Sequence, residues 1–203
     1  MASKPHASKY AERFSKKLRG LERARAKLER LHVNGSLSRA DVLMIYGSIY
    51  LVAVTHFEGF LEDLFFSLVM GSVHCPGVHR RAEFISHLVA KDIIFKDGYL
   101  KWLPYDETIK RAHIYFRSGI PFTNLDNNDQ LILRQMSCTR NAIAHRSEHA
   151  IEKFEKQVLS GISLLPIERT PTGFLRSYVA AGQTRYEHMA GELHEIAWKI
   201  VGK

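Results

Sequence analysis

Apolar residues recur at three- and four-residue spacing from the start of the chain. Tyr10, Phe14, Leu18, Leu21, Ala24, Leu28 and Leu31 line one stripe of an amphipathic helix, and Asn34-Gly35 ends it. Ser38, with Asp41 three residues on, forms a carboxylate variant of the capping box and starts a second helix that runs to about Met70. Gly71 and Cys75-Pro76-Gly77 break that helix, which is the most apolar of the chain and so predicts a central element. His79 to Ala90 predicts a shorter helix, and Lys91 to Tyr105 an irregular stretch with Asp97-Gly98 and Pro104 as turn signals. Asp106 to Arg117 is helical again, and Gly119-Ile120-Pro121 with Asn124 to Asn128 forms a loop. Asp129 to His149 reads as the next helix, and Ile151 to Leu159 extends or follows it. Gly161 to Gly173, carrying Pro166 and Pro171, predicts a loop or a short extended excursion. Gln183 to Val201 closes the chain as a helix with Tyr186, Met189, Ala190, Leu193, Ile196, Ala197 and Ile200 on its apolar side. No internal repeat or low-complexity linker interrupts this pattern. It predicts a single-domain all-α fold, an antiparallel helical bundle of residues 35–203 preceded by a basic amphipathic helix at residues 1–34.

Composition fits one ordinary domain: 203 residues, 45% hydrophobic, are enough for a real core. Val42 to Met70 comes closest to a membrane span, but Thr55, His56, Glu58, Glu62 and Asp63 interrupt it, so no membrane partner is expected. The N-terminus is basic without an apolar stretch behind it, unlike a secretory signal. Cys75 and Cys138, the two cysteines, suit a reducing cytoplasm as small buried thiols. Charge changes the picture more. Residues Met1 to Asn34 hold ten Lys/Arg against three acids, a net of +7 out of the chain's +8. Lys16, Lys17, Arg23 and Arg25 stand out there as candidate RNA-binding residues, and a solvated helix face explains the same block equally well.

The candidate chemistry lies in Arg140-Asn141-Ala142-Ile143-Ala144-His145, a fixed cation, an amide and a titratable imidazole on adjoining helical turns. Asn141 and His145, four apart, share a helix face; Arg140 sits to one side with a side chain long enough to swing towards them. An Arg-x4-His pair with a polar residue after the arginine, in a late helix of a small α-bundle, resembles the HEPN superfamily. Glu58, an acid inside the apolar segment Tyr50 to Phe66, resembles the same feature of toxin- and defence-associated HEPN groups, and reads as a supporting residue. The architectural likeness covers roughly residues 40 to 200; the part specific to the family is short, and the basic first helix lies outside it.

The resemblance implies metal-independent RNA cleavage, needing no cofactor, by a homodimer in which two Arg/His motifs meet. It implies a toxin or defence effector, with an antitoxin protein as a partner. It equally admits members that only bind RNA or a nucleotide, or only dimerise. The residues alone suit the catalytic version. One imidazole could take the proton of an RNA 2′-hydroxyl while the other protonates the leaving 5′-oxygen. Arg140 would stabilise charge on the phosphorane, and Asn141 would orient His145 or the phosphate.

Other patterns compete. An Arg-x4-His pair on a helix also fits a buried, hydrogen-bonded histidine beside an exposed arginine. His145-Arg-Ser-Glu148-His149 matches a zinc-hydrolase pattern that would draw a third ligand from Glu187, Glu192 or Glu195. His74-Cys75-Pro76-Gly77-Val78-His79 offers three metal-binding groups and no obvious fourth, as a plain loop would. His56 and Glu58 read as a buried polar pair or as support for the motif helix. Tyr99, Trp102 and Tyr105 could stack on bases or pack a long loop onto the core.

Overall fold

A computed structural model describes residues 4–81, 83, 86–95, 100–179 and 182–202. The fold is all-α, with eight α-helices among the described residues. They are α1 (Ser8–Val33), α2 (Arg39–Val69), α3 (His87–Ile94), α4 (Tyr105–Tyr115), α5 (Asn127–His145), α6 (Glu148–Gln157), α7 (Pro171–Arg176) and α8 (Arg185–Ile200). Short 3₁₀ turns lie at Arg117–Gly119 and Pro166–Arg169.

Helix ends follow local chemistry. Gly35, at φ 76°, takes the left-handed position after α1. Ser36 N–H donates to the Leu31 carbonyl at 2.9 Å and Gly35 N–H to that of His32 at 2.9 Å, a Schellman closure. Ser38 and Asp41 exchange backbone bonds of 3.0 and 3.2 Å at the start of α2. Asp126 and Asp129 do the same for α5, and Thr184 and Glu187 for α8. The short helix expected over His79 to Ala90 begins later, at His87 behind the Ser86 cap. Before it, the backbone of Arg80 bridges that of Phe116: Arg81 N–H reaches the Tyr115 carbonyl and Arg117 N–H that of His79, both at 2.8 Å. Those bonds occupy groups that a helix would need. The expected turn at Asp97-Gly98 lies outside the described residues.

The chain forms two compact units, and α1, α2, α5 and α8 each supply residues to both. The first comprises residues 1–14, 57–133 and 194–203. Its core is aromatic: the Phe65 ring stands 5.3 Å from Trp102 and Phe116 and 5.5 Å from Phe122. Trp102 Nε1–H donates to Glu62 at 2.9 Å and Tyr105 O–H to the Phe122 carbonyl at 2.8 Å, so both rings are core residues with satisfied polar ends. With each only 1% exposed, neither is a base-stacking platform; Tyr99 lies outside the described residues. Cys75, buried here, has its thiol pushed up to about 11 by burial and points its S–H at the Val201 carbonyl. His74 donates its N–H to the Pro5 carbonyl and accepts from Ala7 N–H, so His74 to His79 is a loop that docks the start of the chain.

The second unit comprises residues 15–56 and 134–193. Leu18, Leu28, Val42, Tyr46, Tyr50, Met136, Ala142, Phe154, Phe174 and Leu193 are buried in it. Gly47 lets helices approach: a Cβ there would lie 3.0 Å from Thr172 Cγ2 and 3.3 Å from Ile143 Cγ2. The fourteen buried apolar residues of α2, from Val42 to Val69, account for its low polarity. Over an 18-residue window α2 nonetheless reaches a mean hydropathy of 1.5, and 39% of that window is buried. Length and composition therefore admit a membrane span, which the interrupting polar residues had argued against.

Candidate functional site

The motif occupies the last turns of α5, in the second unit. The buried side of the helix carries Met136, Ser137, Thr139 and Ala142. Tyr50 O–H donates to the Met136 carbonyl at 2.9 Å and ties α5 to α2 within the unit. Ala142 is 1% exposed and Ile143 presses on Gly47, so these two apolar residues of the motif fix the helix in place. The polar residues then emerge. Arg140 and Asn141 are half-buried and His145 is exposed. Arg140 Nη1–H donates to Asn141 Oδ1 at 3.0 Å. Asn141 thus orients Arg140, where the sequence pointed to His145 or a phosphate as its charge. The remaining N–H groups of the Arg140 fork suit a planar anion.

His145 is the final residue of α5, and its imidazole makes no hydrogen bond to any described residue. The helix expected to run from Asp129 to His149 stops there because Arg146 adopts φ 49°, the left-handed region. Ser147 then caps α6, accepting from Ala150 N–H at 3.3 Å. His145 and the Glu148/His149 pair consequently stand on different helices, whereas the zinc-hydrolase pattern needs them on one. Among the described residues no three His, Cys, Asp or Glu side chains gather as a metal site.

Glu58 is half-buried on the part of α2 that belongs to the first unit. His56 belongs to the second; burial, and then the nearby charge of Lys17, hold its pKa below the usual histidine value. Cys138, on α5, is half-buried and gives its S–H to Gln157 Oε1 at 3.1 Å; burial raises its pKa against the pull of Lys153.

The basic helix divides. Lys16, Lys17 and Arg23 are exposed on α1. Arg25 is not available to RNA: its side chain is 12% exposed, paired with Glu22 at 3.2 Å and closely with Glu187, and it donates to Tyr46 Oη at 3.3 Å. The signal was present in the spacing. Arg25 lies four residues after Leu21 and three before Leu28, so the apolar stripe runs through it. Neutralising Lys16, Lys17 and Arg23 together is expected to weaken binding of single-stranded RNA and reduce its salt slope by about two, roughly 0.7 per phosphate contact. Affinity measured at several salt concentrations checks this, and an unchanged slope would assign α1 a purely structural role.

Arg25 opens a polar network that sequence reasoning missed. Arg176 grips Glu29 through Nε and Nη2, both at 3.0 Å, and Tyr46 acts on the same carboxylate. Burial opposes the charge of Arg25, but Tyr46 and Glu22 outweigh it and hold its pKa above the usual value. Burial raises the Glu22 carboxyl against the pull of Arg25. At Glu29 burial again pushes upward, yet Arg176, Tyr46 and His32 bring the carboxyl below its usual range. Glu22 Oε1 and Tyr186 Oη are buried without a hydrogen-bond partner among the described residues.

The two glutamates should therefore respond to pH with opposite signs. Glu22, whose pKa is raised by folding, costs nothing where both states hold the proton and destabilises as pH rises through the unfolded and then the folded value. Glu29, whose pKa is lowered, contributes stability above its unfolded value and loses it as pH falls through the folded one. Relative to wild type, over a range of about pH 3 to pH 7, the Tm of Glu22→Gln should climb as pH rises above about 4, and that of Glu29→Gln should drop as pH rises from the acid end to about 5. Thermal melts across that range test both signs; parallel curves would contradict the assignment.

The chain matches no protein-family model, no curated protein and no solved structure.

Proposed function

We propose that this protein is a metal-independent endoribonuclease of the HEPN kind, built as an antiparallel helical bundle and acting as a homodimer. The single observation that carries the reading is the end of α5, where Arg140, hydrogen-bonded to Asn141, stands five residues before an exposed His145. Arg140 binds the scissile phosphate and stabilises the charge that builds on it. Asn141 holds the Arg140 fork. His145 transfers protons. In-line attack by the 2′-hydroxyl needs a base for that hydroxyl and an acid for the leaving 5′-oxygen, and one chain brings one such imidazole. A two-fold axis beside the motif supplies the second.

Glu58 supports the helical framework. The exposed cations Lys16, Lys17 and Arg23 add affinity for the RNA backbone. In this reading the protein works in the cytoplasm as a toxin or defence effector, held in check by an antitoxin protein. Purified protein incubated with single-stranded RNA in excess EDTA tests the proposal. Cleavage is the expected result. Binding without cleavage would overturn it in favour of a non-catalytic HEPN-type RNA- or nucleotide-binding module.

A further inference from the structure

A cleft of about 310 Å³ opens in the second unit, lined by Arg39, Leu43, Glu168, Arg176, Ser177 and Tyr178, with Gly173 beside them. Its volume is at the lower end of small-molecule sites, roughly 300–1,000 Å³. Its charge is uneven. Glu168 is held in local structure, accepting the Leu165 N–H at 3.0 Å. Arg176 uses Nε and Nη2 on Glu29, and its Nη1 has no hydrogen-bond partner among the described residues. Arg39 is exposed and pairs with no carboxylate among the described residues. Two guanidinium groups thus meet at the cleft with donors to spare. Tyr178, 64% exposed, offers an aromatic face there.

The cleft also adjoins the motif helix. Gly173 follows Thr172, and Thr172 and Ile143 both lie in contact range of Gly47.

We propose that the cleft is a nucleotide subsite for the RNA substrate, with Arg39 and Arg176 on one phosphate and Tyr178 stacked on the base. The Arg39 fork matches phosphate oxygens in plane, Nη1 of Arg176 adds a further donor, and a stacked base gains affinity without regard to its hydrogen-bonding edge. The subsite rests on the ribonuclease reading for its substrate, but its test does not depend on cleavage.

The probe is adenosine 5′-monophosphate, titrated by calorimetry into the full chain and compared with inorganic phosphate. Adenosine monophosphate should bind several-fold more tightly than phosphate. Arg39→Ala should weaken it about tenfold and Tyr178→Ala about fivefold, with circular dichroism unchanged because both side chains are exposed. In cleavage assays the same variants should raise KM for RNA and leave kcat unaltered. His145→Ala should bind the nucleotide like wild type. Arg39-dependent binding in a protein that cuts no RNA would keep the subsite and sink the nuclease reading. RNA cleavage with nucleotide binding absent, or indifferent to Arg39→Ala, would overturn the subsite. Equal affinity for phosphate and nucleotide would overturn the stacking role of Tyr178.

Discussion

His145→Ala is expected to lower RNA cleavage by about 10²–10⁴, the loss that follows removal of one general acid/base group. The expected fold is unchanged. His145 is exposed at the last position of α5, and its imidazole hydrogen-bonds no described residue. Arg146 and the Ser147 cap set the turn through their backbone and hydroxyl. Truncation at such a site changes stability by about 0.5 kcal/mol or less. The exposure also separates this residue from a hydrogen-bonded core histidine, whose loss would appear as a lower Tm. Arg140→Lys should be nearly as damaging to rate, since a lysine keeps the charge and loses both the planar fork and its fixed geometry against Asn141. His149→Ala and Glu148→Gln should cut RNA at the wild-type rate, being exposed on a different helix from His145. Initial rates on a labelled RNA, paired with thermal melts, check the set. Full activity in His145→Ala would remove the histidine from the mechanism.

Arg25→Ala should give the largest stability effect. Removing it leaves Glu22 and Glu187 facing each other without their shared cation, and Tyr46 without a donor. Breaking a buried ion pair from one side costs about 3–5 kcal/mol, and the partial exposure of the two glutamates, 31% and 27%, places this case at the lower end, about 3 kcal/mol. For a chain of this size that is a Tm lower by about 6–12 °C. The neighbouring surface cations differ: Lys16→Ala, Lys17→Ala and Arg23→Ala should each leave Tm within a degree or two, because exposed charges contribute about 0.5 kcal/mol or less. Adding Glu22→Gln and Glu187→Gln to Arg25→Ala should restore part of the loss, since it removes the uncompensated charges. Thermal melts decide it. An unchanged Tm in Arg25→Ala would mean that the network is a solvated surface cluster.

Much of the fold could be read where side chains act on their own backbone. The Asn34-Gly35 stop and the Ser38/Asp41 start appear in the structure because each needs only residues within a turn of one another. The end of α5 was not legible: Arg146 takes a left-handed conformation that glycine or asparagine would have announced, and an arginine does not. The start of α3 was hidden because the pairing of Arg80 with Phe116 joins segments far apart in sequence. The six-residue α7 sits inside a proline- and glycine-marked stretch that reads as loop, although Thr170 accepting Gly173 N–H at 3.1 Å caps it in the ordinary way. At the motif, the residue types and their order were visible in sequence, but the partner of Asn141 was not. The block of positive charge looked uniform. It separates into exposed cations and one structural arginine only when Arg25 is placed on the apolar stripe.

The most direct measurement of the central claim is the chemistry of the cut RNA end. Wild-type protein in excess EDTA should leave a 2′,3′-cyclic phosphate on the upstream fragment and a 5′-hydroxyl on the downstream one. A matched substrate with a single 2′-deoxy sugar at the cut site should stay whole at that position. A 5′-phosphate on the downstream fragment, or cleavage at the deoxy position, would contradict attack by the 2′-hydroxyl and the account of Arg140 and His145 built on it.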